Sequence, residues 1–225
     1  MQGVPYINAV GTLNYLAIAT RPDIANTVSR LARYNSNPGP EHWKAVKHLF
    51  RYLQGTLDLK LTYSPQSGMS ELFEAYSDAD HGGDGDSGKS TTGYVVKMGG
   101  GAISWSSKLQ SIVALSTTEA EYVAAVSTGT EVVWLRSLFG ELGYDFDSPS
   151  SLHMDNQSAI AVAKNPEHHG RMKHLHLRQF WLRHAVEEGV LKPVYIPTGQ
   201  MVADMLTKAL PKPAVQEHRR MMGLM

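Results

Sequence analysis

Four acidic residues stand where carboxylates could do chemistry. They are Asp78 in Tyr76-Ser77-Asp78-Ala79-Asp80, Glu119 in Leu115-Ser116-Thr117-Thr118-Glu119-Ala120-Glu121-Tyr122, Asp155 in Leu152-His153-Met154-Asp155-Asn156-Gln157, and Asp204 in Val202-Ala203-Asp204-Met205-Leu206. Gathered by a fold, they would make an all-oxygen nest for two hard cations, an arrangement that hydrolyses phosphodiesters. Each also has a plain structural role open to it. Asp78 could end a strand. Glu119 completes a capping box with Ser116, the pattern S-x-x-E at a helix start. Asp155 could cap the helix that starts at Asn156, and Asp204 could lie on a solvated helix face. Asp80 and Glu121 are spare acids beside the set.

Convergence depends on the elements between these residues. Glu71 to Ser77 has strand character, followed by a loop rich in Gly and Asp from Asp80 to Gly88. Thr92–Met98 and Ala102–Ser106 are strand-like and joined by Gly99-Gly100-Gly101, so three strands should form a meander. Thr117–Leu142 is a long helix ended by Gly143. Leu152–Met154 is a short strand and Asn156–Lys164 a short helix. Leu175–Glu188 is a further helix, Lys192–Ile196 a strand and Gln200–Leu210 a last helix. The order βββαβαβα gives a mixed α/β sheet. A right-handed crossover through the long helix sets the Leu152 strand parallel beside the first. Asp155 then falls near Asp78, and the crossover helix presents Glu119 from its first turn.

The region before this sheet is helical. Thr20-Arg21-Pro22-Asp23 has the form of a capped helix start, with Ile24, Val28 and Leu31 on one face. Asn35-Ser36-Asn37-Pro38-Gly39-Pro40 breaks the chain. Glu41–Gln54 follows, with an apolar stripe of Trp43, Val46, Phe50 and Leu53 and a basic stripe of Lys44, Lys47, His48 and Arg51. That basic stripe is either a solvated face or a track for a phosphate backbone. Ser64-Pro65-Gln66-Ser67-Gly68 is the candidate linker. The expected division is residues 1–65, 70–210 and a Met-rich tail at 211–225.

The composition narrows the classes. Of 225 residues, 42% are hydrophobic, enough for a real core, and the formal net charge is zero. Bulk attraction to nucleic acid is therefore not available, and any such contact needs local basic patches. There is no cysteine, which excludes disulfides, thiol catalysis and cysteine zinc sites. The stretch Ala9–Ala19 has no basic flank and is too short to span a membrane. Gly83-Asp84-Gly85-Asp86-Ser87-Gly88-Lys89-Ser90 satisfies the phosphate-loop pattern. The sequence after it is strand-like rather than helical, and Asp80, Asp84 and Asp86 would repel a nucleoside triphosphate, so no such ligand is expected. No frame of the same stretch meets the calcium-loop pattern.

From Glu71 to Leu210 the chain resembles the ribonuclease H domain of copia-type LTR retrotransposon Pol polyproteins. The resemblance rests on Tyr76-Ser77-Asp78-Ala79-Asp80, Lys89-Ser90-Thr91-Thr92-Gly93-Tyr94, Ile103-Ser104-Trp105-Ser106-Ser107-Lys108 and Ala114-Leu115-Ser116-Thr117-Thr118-Glu119-Ala120-Glu121-Tyr122. It continues through Asp155-Asn156-Gln157-Ser158-Ala159, Lys173-His174 and Ala203-Asp204-Met205-Leu206-Thr207-Lys208. The residues before Ser64 resemble the thumb and connection end of the preceding reverse transcriptase. No Y-x-D-D polymerase motif is present.

The resemblance implies a ribonuclease H-like five-stranded sheet with a helical N-terminal appendage. It implies an endoribonuclease that cuts the RNA strand of RNA–DNA hybrids with two Mg²⁺ ions, Mn²⁺ being able to substitute. Asp78 would bridge both ions, Glu119 and Asp155 would hold one, and Asp204 the other. Glu119 is preferred to Glu121 because the Thr-Glu pair is the matching element. Thr117, Thr118, Asn156 and Gln157 would donate to the hybrid, and Lys89, Arg171, Lys173 and His174 would hold phosphates. The implied partners are the hybrid and the reverse transcriptase portion of the same polyprotein, in an intracellular particle or the nucleus. One departure is visible. Many ribonuclease H enzymes carry a mobile histidine in the loop before the last acid, whereas here that loop is Pro197-Thr198-Gly199-Gln200. His168, His169 and His174 could substitute. The competing readings are an idle nucleic-acid-binding remnant and a nuclease or integrase of the same superfamily.

Overall fold

A computed structural model describes residues 3–64, 71–164 and 176–225. Most of the linker, together with His168, His169, Arg171, Lys173 and His174, lies outside these residues. Five strands form one sheet in the order β3-β2-β1-β4-β5. They are β1 (Glu74–Asp80), β2 (Thr91–Met98), β3 (Gly101–Leu109), β4 (Ser150–Met154) and β5 (Leu191–Tyr195). β1, β2 and β3 pair antiparallel, whereas β4 runs parallel to both β1 and β5. This is the ribonuclease H-like mixed sheet that the resemblance implied.

Local chemistry sets these elements. Val95 and Val96 give β2 its strand preference. The β2–β3 turn is the pair Gly99-Gly100, with φ of 57° and 78°. Two successive left-handed residues make the hairpin turn whose twist matches the strands, and glycine adopts it without strain. α4 (Thr117–Glu141) opens on Ser116, whose Oγ accepts the Glu119 amide at 3.1 Å. α5 (Gln157–Lys164) and α6 (His176–Glu187) complete the layer on that face. The main core lies between them and the sheet, around Phe73, Tyr122, Leu152, Met154 and Leu182.

Three further helices precede the sheet: α1 (Tyr6–Ala19), α2 (Ala25–Ala32) and α3 (Pro40–Gln54). They enclose their own core around Tyr6, Leu13, Ile24 and Val46. The capped start expected at Thr20 takes another form. Thr20 closes α1, and Pro22–Ile24 make a 3₁₀ turn into α2. Asp23 is drawn to the Arg21 guanidinium at 2.7 Å instead of reaching back to a cap amide.

β1 also lies about three residues later than the sequence suggested. Antiparallel pairing with β2 continues through Asp80↔Thr91, which carries the strand past Asp78. The expected helix Gln200–Leu210 is replaced by two 3₁₀ turns, Thr198–Gln200 and Val202–Leu206. Every residue from Met201 to Thr207 is buried, so this segment has no solvent face for an amphipathic α-helix. It packs on the second face of the sheet with Tyr76, Val95 and Met222. The C-terminal residues form α7 (Lys212–Met221) and then Leu224, which bridges to Leu61.

Candidate active site

The site is built at the carboxyl ends of β1 and β4, the usual place for chemistry in a sheet with adjacent parallel strands. Tyr76 pairs with His153 in the parallel register. Continued two residues, that register sets Asp78 beside Asp155, just past the end of β4. Asn156 frees Asp155 from a capping role, because its own Oδ1 accepts the Ala159 amide at 3.0 Å and caps α5. Asp155 instead accepts the Thr198 hydroxyl at 2.7 Å. That threonine belongs to the loop where a histidine was looked for.

The third acid of the cluster is Glu121. Asp78, Glu121 and Asp155 each present a carboxylate oxygen, and these oxygens lie within 4.8 Å of one another. The cluster therefore contains Glu121 where Glu119 was expected. Glu119 Oε2 accepts the Leu115 amide at 2.8 Å, completing the capping box at the start of α4. A carboxylate held by the first turn of its own helix points back along the chain. The signal was present in the sequence, since S-x-x-E predicts that engagement and leaves the next acid on α4 free. Glu121 is buried, receives the Ala79 amide, and has an Oε2 that accepts no hydrogen bond from any described residue.

Asp204 is also buried, not solvated, and its Oδ1 lies 2.8 Å from Lys208 Nζ. Two residues here were not picked out from the sequence. Thr207, fully enclosed, donates its hydroxyl to Asp78 Oδ2. Lys208 is a cation whose charge reaches both Asp78 and Glu121. The signal for both was spacing, because they stand one turn after Asp204. Gly93 makes the arrangement possible. It pairs with Asp78 across the sheet, and a Cβ there would stand 2.7 Å from Thr207 Cγ2 and 2.9 Å from Leu206 Cβ. Only glycine lets the 3₁₀ turn press this close to β2.

Electrostatics follow from the crowding. Burial, then the neighbouring Asp204, push the Asp78 carboxyl up to about 7 against the pull of Thr207 and Lys208. Burial, then Asp78 and Asp155, push Glu121 up to about 9. Burial pulls Lys208 down, but its hydrogen bond to Asp204 and the charges of Asp78, Asp204 and Asp155 outweigh this, so its value rises. One lysine cannot neutralise four clustered carboxylates. The all-oxygen donor set and the unpartnered Glu121 Oε2 therefore fit hard divalent cations.

The expected nucleic-acid contacts are placed as follows. Thr117 and Thr118 lie on the first turn of α4, one turn before Glu121. Gln157 is exposed at the start of α5, beside the capping Asn156. Lys89 is half-buried in the β1–β2 loop, and its carbonyl accepts the Asp84 amide at 3.1 Å. After that loop comes β2, not the helix that a phosphate loop requires. Asp80 accepts the Thr91 amide and so faces the loop rather than the acid cluster.

No family model matches the chain. It is 46% identical over 224 residues, all of its length, to the retrovirus-related Pol polyprotein from transposon TNT 1-94 of Nicotiana tabacum. It is 42% identical over 219 residues, 97% of its length, to that from transposon RE2 of Arabidopsis thaliana. It spans only 17% and 15% of those polyproteins. A protein of Plasmopara viticola named secreted RxLR effector protein 161 is 47% identical over 135 residues, 60% of this chain and 94% of that one. Among solved structures, LC11-RNase H1 in complex with RNA/DNA hybrid aligns over 60% of this chain and 93% of its own, at 21% identity and a TM-score of 0.43. A likeness at that level adds nothing to the sheet order already described.

Proposed function

Since the chain belongs to the family of copia-type retrotransposon Pol polyproteins, we propose that it acts as their hybrid-dependent endoribonuclease, hydrolysing the RNA strand of an RNA–DNA hybrid. The observation that carries this reading is the convergence of Asp78, Glu121 and Asp155 at the ends of two parallel strands, with Asp204 joined to them through Thr207 and Lys208. Asp78, Glu121, Asp155 and Asp204 would hold divalent cations, Mg²⁺ or in its place Mn²⁺, which when bound supply water activation and charge neutralisation at the scissile phosphate.

The protein's own groups prepare that chemistry. Thr207 fixes one oxygen of Asp78, and Thr198 fixes one oxygen of Asp155. The Ala79 amide orients Glu121. The capping box made by Ser116 and Glu119 stiffens the turn that carries Thr117 and Thr118. Those hydroxyls, with Asn156 and Gln157, are donors suited to 2′-hydroxyls in a shallow minor groove. Lys89 supplies charge toward the backbone. The reverse transcriptase portion of the same polyprotein and an intracellular location complete the proposal.

The test is Mg²⁺-dependent cleavage of a hybrid labelled on its RNA strand, set beside an Asp155→Asn variant. Cleavage by the parent chain and its loss in the variant are expected. Hybrid binding with no cleavage by folded parent protein would assign the chain to an idle binding module instead.

A further inference from the structure

A groove of about 480 Å³ lies between α4 and β3, the edge strand of the sheet. Val123, Val126, Ser127 and Thr130 line it from α4, and Ser106 and Lys108 from the strand. None of the four acids of the cluster lines it. Its volume suits a small molecule.

The polar groups of this groove are sorted by side. Ser127 donates its hydroxyl to the Val123 carbonyl at 3.1 Å, and Thr130 donates to the Val126 carbonyl at 2.8 Å. With those protons spent, the two oxygens can only accept. Buried Gln110 also lines the groove, and its Nε2 donates to the Thr92 hydroxyl at 3.1 Å and the Ala120 carbonyl at 3.0 Å. A carbonyl never donates, so the Ala120 contact fixes which end of the amide is nitrogen. The other end, Oε1, is buried and has no hydrogen-bond partner among the described residues. Such a dry, unpartnered acceptor is costly and rare. Across the groove, the side chains of Ser106 and Lys108 make no hydrogen bond or ion pair among the described residues, so their donors are free. Tyr94 lines the groove too, and its hydroxyl is engaged by Glu131 and Ser104, which leaves its ring.

An occupant must therefore bring N–H donors to the α4 side and to Gln110 Oε1, and acceptors to Ser106 and Lys108. Between them it needs a flat apolar body for Tyr94 and the two valines. The charge of Lys108 disfavours an ammonium or guanidinium as the donor. A phosphate or carboxylate would meet only lone pairs on the α4 side. We propose that this groove binds a nucleobase with an exocyclic amine, carried by a free nucleoside. A base inside a hybrid cannot enter without leaving its stack, so this ligand is distinct from the substrate proposed above. The proposal does not depend on the nuclease reading.

The experiment titrates adenosine into the full 225-residue chain, isotope-labelled so that backbone amides are followed by NMR. The amides of Gln110, Ser111, Ser127 and Thr130 should shift along one saturable curve. Purine riboside, the same nucleoside without the amine, should bind at least about tenfold more weakly. Adenosine should bind the double variant Ser127→Ala/Thr130→Val more weakly by a similar factor. Thr130→Trp, at an exposed helix position, should fill the groove and abolish binding, with an unchanged melting temperature showing that the fold is intact. A saturating RNA–DNA hybrid in EDTA should leave the adenosine Kd unchanged. The groove assignment is overturned by the absence of a saturable shift at these amides or by equal affinity for the two nucleosides. Displacement of adenosine by the hybrid overturns it as well, since the groove would then belong to the hybrid's own site.

Discussion

At the residue scale the chemistry turns on which of two glutamates, two positions apart, enters the cluster. Glu119 is held by the Leu115 amide, whereas Glu121 stands within 4.8 Å of Asp78 and Asp155. Glu121→Gln should lower hybrid cleavage by at least about 100-fold, since a charge aimed at the reacting centre is removed. Glu119→Gln should leave cleavage within a few-fold and cost about 1 kcal/mol of stability through the weakened cap. Rates and melting temperatures of the two variants, measured side by side, check this. A pH dependence belongs at the same scale. Asp78 and Glu121 are raised to about 7 and about 9 from ordinary values of 3.8 and 4.5. The folded state therefore keeps protons that the unfolded chain has lost, and ion-free stability falls as pH rises through those values. Divalent cations replace those protons, so the rise in melting temperature on adding Mg²⁺ should grow with pH over the same range. A constant Mg²⁺ effect from acid to alkaline pH would contradict the assignment.

At the scale of elements, the acids meet because β1 outruns β4 and because a 3₁₀ turn replaces a helix. β1 stays paired with β2 as far as Asp80, while its pairing with β4 stops at Tyr76↔His153. That leaves a notch at the end of β4 which Asp155 fills. The turn Val202–Leu206 lies close enough to β2 for Thr207 to reach Asp78, and Gly93 is the residue that allows it. Gly93→Val should force the turn outward. We expect a loss of about 1–3 kcal/mol from overpacking, seen as a lower denaturation midpoint, and a fall in kcat larger than the change in KM. Thr207→Val, similar in volume, should keep the fold and lower kcat through a loosened Asp78. Equal kcat in parent and Thr207→Val would remove Thr207 from any positioning role. Strand identity, the hairpin glycines and the cap of α4 were legible here from local preference. The last turn was not, because its form follows from burial on all sides rather than from its own residues.

At the scale of the whole molecule, the first helices, the sheet and the C-terminal residues interlock. Trp105 Nε1 donates to the Ala17 carbonyl at 2.7 Å, and Asn26 Nδ2 donates to the Leu206 carbonyl at 2.9 Å. Met222 accepts the Ala102 amide at 2.8 Å, and Lys60 and Met225 exchange backbone hydrogen bonds at 2.6 and 3.0 Å. Gly223, at a φ of 76°, passes so close to β3 that a Cβ would stand 2.7 Å from Gly101 Cα. Asn26→Ala should cost about 1 kcal/mol by removing the amide that donates to the Leu206 carbonyl and to Ser107 Oγ, read as a lower denaturation midpoint. Removing residues 211–225 should expose the site of Met222 and Leu224 and lower the melting temperature by several degrees. An unchanged melting temperature would mean that this segment does not brace the sheet.

The sequence alone pointed to the family and to the order of the five strands and of the long helix between them, because each rests on local pattern. Motif strings, hydrophobic period and turn residues are carried within a few neighbouring positions. The S-x-x-E pattern already assigned Glu119 to the cap, but that Glu121 reaches Asp78 and Asp155 was decided only in three dimensions. A capping bond fixes where one carboxylate goes, and the parallel register of β1 and β4 fixes where the others meet. The partners of Asp78, Thr207 above all, were likewise set by how closely a turn far along the chain packs against Gly93. Such contacts join residues more than a hundred positions apart, and no local pattern encodes the distance between them.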